Sequence, residues 1–224
     1  YYFMGLDHNE LHCSQALELG LVDEICTSTE ALKSCEIIFL SIPVDGIISV
    51  TQQLGALSDT CTVIDLGSIK EQFSISLPPE IRHNFVAAHP MTGTEKFGPT
   101  AALEELYTDK VVVLCDLEKS GIHQQNVAKK LFTNIGMNIV CMGAKEHDRH
   151  AAFISHMPHA ISYALANSVM AQEDSKSIIA LAGGGFKDIR RIAKSSPNML
   201  AAILRTNNTN VLEAISSFQS VLKK

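Results

Sequence analysis

The residues best suited to chemistry are Ala88-His89-Pro90-Met91-Thr92-Gly93-Thr94-Glu95. They follow Phe85-Val86-Ala87, an apolar run that predicts a short buried strand over Asn84–Ala88. A strand that gives way to His, Pro and Gly sets a titratable ring at the rim of a sheet. In an open α/β sheet that rim is where ligands bind. Histidine carries a proton on and off near neutral pH, so His89 is the candidate acid–base group.

Two further clusters carry chemistry. Glu146-His147-Asp148-Arg149-His150 and Ser155-His156-Met157-Pro158-His159 place four histidines within thirteen residues. Helical geometry argues against a metal: at about 100° per residue, His147 and His156 face opposite ways. No acid or cysteine completes a set with His156 and His159, so no metal is expected, and His150 is expected on a helix surface. The other cluster is Phe186-Lys187-Asp188-Ile189-Arg190-Arg191-Ile192-Ala193-Lys194-Ser195. It is either a solvated basic face or an anchor for an anionic substrate, since arginine grips carboxylates bidentately.

The elements that must position these residues fall into two regimes. Strand-like runs occupy Tyr1–Leu6, Cys35–Ile42, Cys61–Leu66, Asn84–Ala88, Lys110–Cys115 and Met137–Met142. Helical spacing covers Glu10–Gly20, Asp45–Leu57 and Ile122–Ile135. Alternating strands and helices with near-continuous apolar strands predict a Rossmann-like, doubly wound, mainly parallel sheet over 1–143. Beyond Gly143 no strand remains, and 144–224 is expected to be all-helical. There, Lys145–Ala171 reads as one long helix kinked at Pro158, and Gly183-Gly184-Gly185 as a break. Shorter helices are expected over Asp188–Lys194, Pro197–Arg205 and Asn210–Leu222.

Asp7, Ser41–Pro43, Gly67–Ser68 and His89 each follow the last apolar residue of a strand. The carboxyl ends of parallel strands share one edge, so these segments converge on one crevice, although strand ends are polar in any case. Asp7, Ser41, Pro43 and Gly67 are the candidate cofactor contacts. An acid at Asp7 suits a ribose hydroxyl and repels a 2′-phosphate. It could equally be a helix N-cap or an Asx turn before the helix that begins near Glu10. The glycine-rich turn that ordinarily accompanies such an acid is missing, and the run at Gly183 follows no strand. About thirty residues, one strand and one helix, are therefore expected before Tyr1.

The 224 residues are 46% hydrophobic and 19% charged, with a net charge of -6 and no basic arm, which argues against nucleic acid as a partner. No apolar run is long enough for a membrane span. The six cysteines form no C-x-x-C pair. Cys35, Cys61, Cys115 and Cys141 fall in or beside the expected buried strands, which favours a reducing, cytoplasmic location.

In order along the chain, Asp65-Leu66-Gly67-Ser68-Ile69-Lys70, the His89 segment through Glu95, His147-Asp148 with Ser155-His156-Met157-Pro158-His159, and Phe186–Ser195 resemble the prephenate dehydrogenase family. The resemblance implies NAD-dependent oxidative decarboxylation of prephenate to 4-hydroxyphenylpyruvate. It implies that His89 takes the proton of the ring 4-hydroxyl and that Ser68 orients His89. Arg191 is then expected to hold a substrate carboxylate, with Glu95 and Asp188 networked to it. Thr94 and His159 would line the substrate site, with His147 as a nearby wall. Arg190 stands where the family commonly has Thr, and Leu200 where it commonly has an aromatic residue. The helices beyond 144 carry more apolar surface than a small bundle hides, so a homodimer is expected, as the family resemblance also implies. The competing readings are an arogenate dehydrogenase, a β-hydroxyacid-type dehydrogenase, and a non-catalytic dimerising module without the nucleotide turn.

Overall fold

The computed structural model describes residues 1–94, 96–172 and 174–224, and for Asp45, Ser175 and Lys176 the backbone alone. It divides into two compact units, Tyr1–His147 and Asp148–Lys224.

The first unit opens with β1 (Met4–Gly5), α1 (Glu10–Glu18), β2 (Glu24–Ile25) and α2 (Thr29–Leu32). It continues with β3 (Ile37–Leu40), α3 (Val44–Leu54), β4 (Thr62–Asp65), α4 (Glu71–Ser76), α5 (Pro79–Arg82) and β5 (Phe85–Pro90). Then come β6 (Val111–Cys115), α6 (Ile122–Asn134), β7 (Asn138–Met142) and α7 (Ala144–Ala151), within which the division between the units falls. β3 to β7 form one sheet in the order β3-β4-β5-β6-β7, parallel except for the antiparallel β5–β6 pair. This is the Rossmann-like, mainly parallel sheet expected from the strand pattern. Its core joins Ile64, Val86, Ala88, Val112, Leu114 and Phe132. Those residues come from three adjacent strands and the helix laid across them.

Three expectations need correction. The strand that carries His89 does not stop at Ala88. It runs to Pro90, because antiparallel β6 sets His89 opposite Val113 and Pro90 opposite Val112. Proline is tolerated there as it ends the strand, where a missing N–H costs little. The strand of Asp7 is not part of the large sheet: β1 pairs with β2, a short strand that the apolar pattern did not announce. Cys141 is exposed rather than buried, and it lies on β7, the strand at the edge of the sheet.

The second unit is helical throughout its described residues. After α7 come a π-helical turn (Ala152–His156), α8 (Met157–Met170), α9 (Ser175–Ala180), α10 (Gly184–Ile192), α11 (Pro197–Thr206) and α12 (Asn208–Leu222). The interruption expected at Pro158 falls at this π turn instead. Pro158 sits in the first turn of α8, which continues directly from the π turn, with the Met157 N–H donating to the Ala152 carbonyl. The glycine run opens α10 rather than merely breaking a helix. Ala152, Val211 and Ala214 form the small centre of this unit.

Candidate active site

β3, β4 and β5 lie side by side in register, Leu40 beside Asp65 and Asp65 beside Ala87. Ser41, the Leu66-Gly67-Ser68 turn and His89 therefore leave one carboxyl edge of the sheet. The Leu66 N–H donates to the Leu40 carbonyl at 3.0 Å, which ties the turn to β3.

The turn is built on Asp65. Its carboxylate is fully buried, accepts the Gly67 N–H at 2.7 Å and pairs with the equally buried Lys70 ammonium. Burial pushes the Asp65 carboxyl up, against the pull of Lys70, the Gly67 N–H and the nearby His147. Position 67 is tight for a side chain. A Cβ there would come within 3.0 Å of both Asp65 Oδ1 and Ile47 Cδ1. The Lys70 ammonium also lies 5.6 Å from the centre of the Phe73 ring. This pair escaped the sequence reading as a functional feature. The available signal was an acid closing an apolar strand, with a lysine five residues on.

His89 is half-buried, and its Nδ1 lies 2.8 Å from Nε2 of His147. The rings meet edge to face, with centroids 5.0 Å apart. His147 is 2% exposed. Its ring, expected as a wall near the substrate site, is in direct hydrogen-bond contact with His89. Ser68 is half-buried in the turn after β4. Thr94 is exposed, and its hydroxyl accepts the Lys96 N–H at 3.3 Å. Glu95 lies outside the described residues.

Asp7 follows β1 and is 40% exposed. Its Oδ1 accepts the Asn9 N–H at 2.9 Å, and its Oδ2 lies 3.2 Å from His12 Nδ1. Burial is the largest single influence on this carboxyl and pushes it up. The Asn9 N–H and His12, with His8 beside them, outweigh burial and hold its pKa below the usual value. The helix cap is Asn9, whose side chain accepts from the Leu11 and His12 N–H groups. Asp7 thus makes an Asx-turn hydrogen bond in place of the cap. It lines an open cleft of about 470 Å³ with Leu6, Glu10, Cys13, Cys26 and Thr27. Ser41 and Pro43, the residue before α3, are exposed at the end of β3.

In the helical unit, His159 directs Nδ1 to the Ser155 carbonyl at 2.8 Å. His156 is buried, with Nδ1 3.1 Å from the Asn207 amide, which also donates to the Asp148 carbonyl at 2.7 Å. The histidines that looked like a cluster in sequence thus serve separate partners. Asp188 and Arg191 are exposed on α10, three residues apart on one face. Arg190 is exposed beside them, and Leu200 is buried in α11.

A Rossmann-like unit with an acid after its first strand and a paired histidine at the edge of its sheet, followed in the chain by a helical unit, follows the plan of a two-unit dehydrogenase. Residues 1–141 match the family model for the prephenate dehydrogenase nucleotide-binding domain. Residues 143–224 match that for the prephenate dehydrogenase dimerization domain. The chain belongs to the prephenate dehydrogenase family. It is 29% identical to the prephenate dehydrogenase of Bacillus subtilis over 94% of its own length and 58% of that relative's. It therefore spans less than two thirds of that protein. A crystal structure of prephenate dehydrogenase from Aquifex aeolicus, in complex with hydroxyphenyl propionate and NAD+, is similar with a TM-score of 0.90. The identity is 33%, over 98% of this chain and 78% of that one. Synechocystis arogenate dehydrogenase is similar with a TM-score of 0.79 and 27% identity, over 99% of this chain and 81% of that one.

Proposed function

We propose that this protein catalyses the NAD-dependent oxidative decarboxylation of prephenate to 4-hydroxyphenylpyruvate, as a cytoplasmic homodimer. The observation that carries this reading is the half-buried His89 at the carboxyl edge of the sheet, hydrogen-bonded to His147 at 2.8 Å. The reaction needs a base on the ring 4-hydroxyl, an acceptor for the hydride at the same carbon and a grip on the carboxylates. NAD, when bound, supplies the hydride acceptor. Asp7 would hold its ribose, with Ser41, Pro43 and Gly67 contributing from the carboxyl edge of the main sheet. His89 takes the hydroxyl proton, so a carbonyl forms as the hydride departs, and loss of carbon dioxide then aromatises the ring. Ser68 shares the hydroxyl with His89.

Arg191 is the proposed partner of a substrate carboxylate, with Asp188 and Glu95 as the acids that orient it. Thr94 and His159 are the remaining proposed substrate contacts. The likeness to the Synechocystis arogenate dehydrogenase supports a second reading, in which an amino acid replaces the keto acid and the ring chemistry is unchanged. The test is NADH formation with prephenate and with arogenate, each with NAD and with NADP. Prephenate with NAD is expected to have the highest kcat/KM. A preference for arogenate would replace the substrate, and a preference for NADP would overturn the role of Asp7.

A further inference from the structure

A neutral imidazole carries one N–H and one lone pair, and a base must turn its lone pair toward the proton it takes. The hydrogen bond between His89 Nδ1 and His147 Nε2 leaves only one proton to share, so one ring donates and the other accepts. Which way it runs decides whether His89 can act as a base through Nε2. His147 is 2% exposed, opens no face to bulk water and meets His89 edge to face. The buried Asp65 carboxylate, fixed by Gly67 and Lys70, attracts positive charge on His147. An acid that favours positive charge there also favours proton density moving from His89 toward His147. That is the direction in which His89 Nδ1 donates.

We propose that His147 is a positioning residue for His89: it accepts the Nδ1–H of His89, fixes the tautomer with its lone pair on Nε2, and so presents that nitrogen to the substrate hydroxyl. This rests on the reading of His89 as the base, but it is measurable without any turnover. When His89 takes the hydroxyl proton at Nε2, the imidazolium keeps its Nδ1–H against His147, and one unit of positive charge is spread over the two rings. Proton number and charge balance within the pair.

The experiment is a 15N–1H correlation spectrum of the histidine rings in the full protein, with 15N-labelled histidine. In the wild type, His89 is expected to carry its proton on Nδ1 and none on Nε2. His147→Leu removes the acceptor, and the ring is expected to revert to the Nε2–H form that free imidazole side chains prefer. With prephenate and NAD, kcat should fall about ten- to a hundredfold at nearly constant KM. His147→Gln, whose amide oxygen can accept from Nδ1, should restore the wild-type tautomer and part of kcat. A wild-type His89 protonated at Nε2 overturns the proposal, whether or not the variants fold. So does a His147→Leu protein with an unchanged tautomer, or one whose KM moves in place of kcat. If His89→Asn kept its activity, the base reading would fall while the tautomer result stood on its own.

Discussion

The proposed base, His89, has its Nδ1 held against Nε2 of His147 at 2.8 Å. Replacing His89 by Asn keeps a polar side chain but removes the proton acceptor. The expected result is a loss of about two to four orders of magnitude in kcat with little change in KM. Arg191→Ala should act in the opposite sense, raising KM for prephenate while leaving kcat closer to wild type, as expected for uniform binding. Asp7→Asn removes the negative charge that disfavours a 2′-phosphate, so the ratio of kcat/KM for NAD over NADP should drop by about tenfold or more. Initial rates with both cofactors read that ratio. The positions of His89 and Asp7 near strand ends were legible in sequence because each follows an apolar run. The contact between His89 and His147 was not, because 58 residues separate them and no periodicity links a strand end to a later helix. The Asp65–Lys70 pair was equally silent as chemistry, since burial makes it matter and burial cannot be read from two charges.

At the scale of elements, one turn and one hub hold the site. The Gly67 turn is the tighter of the two. Gly67→Ala would drive a Cβ to within 3.0 Å of the buried Asp65 carboxylate and of Ile47. A stability loss of about 1–3 kcal/mol is expected, read as a lower urea midpoint at unchanged slope. The hub is Asp116, in a left-handed backbone conformation. It accepts from the Ala144 N–H at 2.9 Å, the Ser74 hydroxyl at 2.5 Å and the Lys119 ammonium at 2.8 Å. It thereby joins α4 and the end of β6 to the start of α7, the helix that carries His147. Burial raises this carboxyl, but the Lys119, Ser74 and Ala144 donors outweigh it and hold its pKa below the ordinary value. A depressed folded pKa means stability that is present above about pH 3.9 and lost as pH falls through the lower, folded value. Asp116→Asn should therefore cost about 1–2 kcal/mol at pH 7. The gap to wild type should narrow below about pH 4 in denaturation curves taken across the acid range. The identity of the longer elements was legible from period and composition. The ends were not, because tertiary pairing sets them: β6 carries β5 through His89, and the interruption expected at Pro158 falls at the π turn before it.

At the scale of the molecule, the two units answer to different physics. The first buries a continuous core under its sheet. The second leaves Leu165, Ile178, Leu181, Leu212 and Val221 exposed around a small centre. Apolar surface of that kind is ordinarily covered by a symmetric copy, and the match to a dimerization domain supports the same reading. Light scattering should return twice the mass of one chain, and Leu181→Glu with Leu165→Glu should shift it toward one. The switch from strands to helices was legible because apolar runs stop near Gly143, whereas the pairing of β1 with β2 apart from the main sheet was not. Two-residue strands carry too little pattern to announce their partners. The most direct test of the central claim is product stoichiometry from prephenate and NAD. Equimolar NADH, carbon dioxide and 4-hydroxyphenylpyruvate are expected. NADH formed without carbon dioxide, or no NADH at all, would contradict the claim.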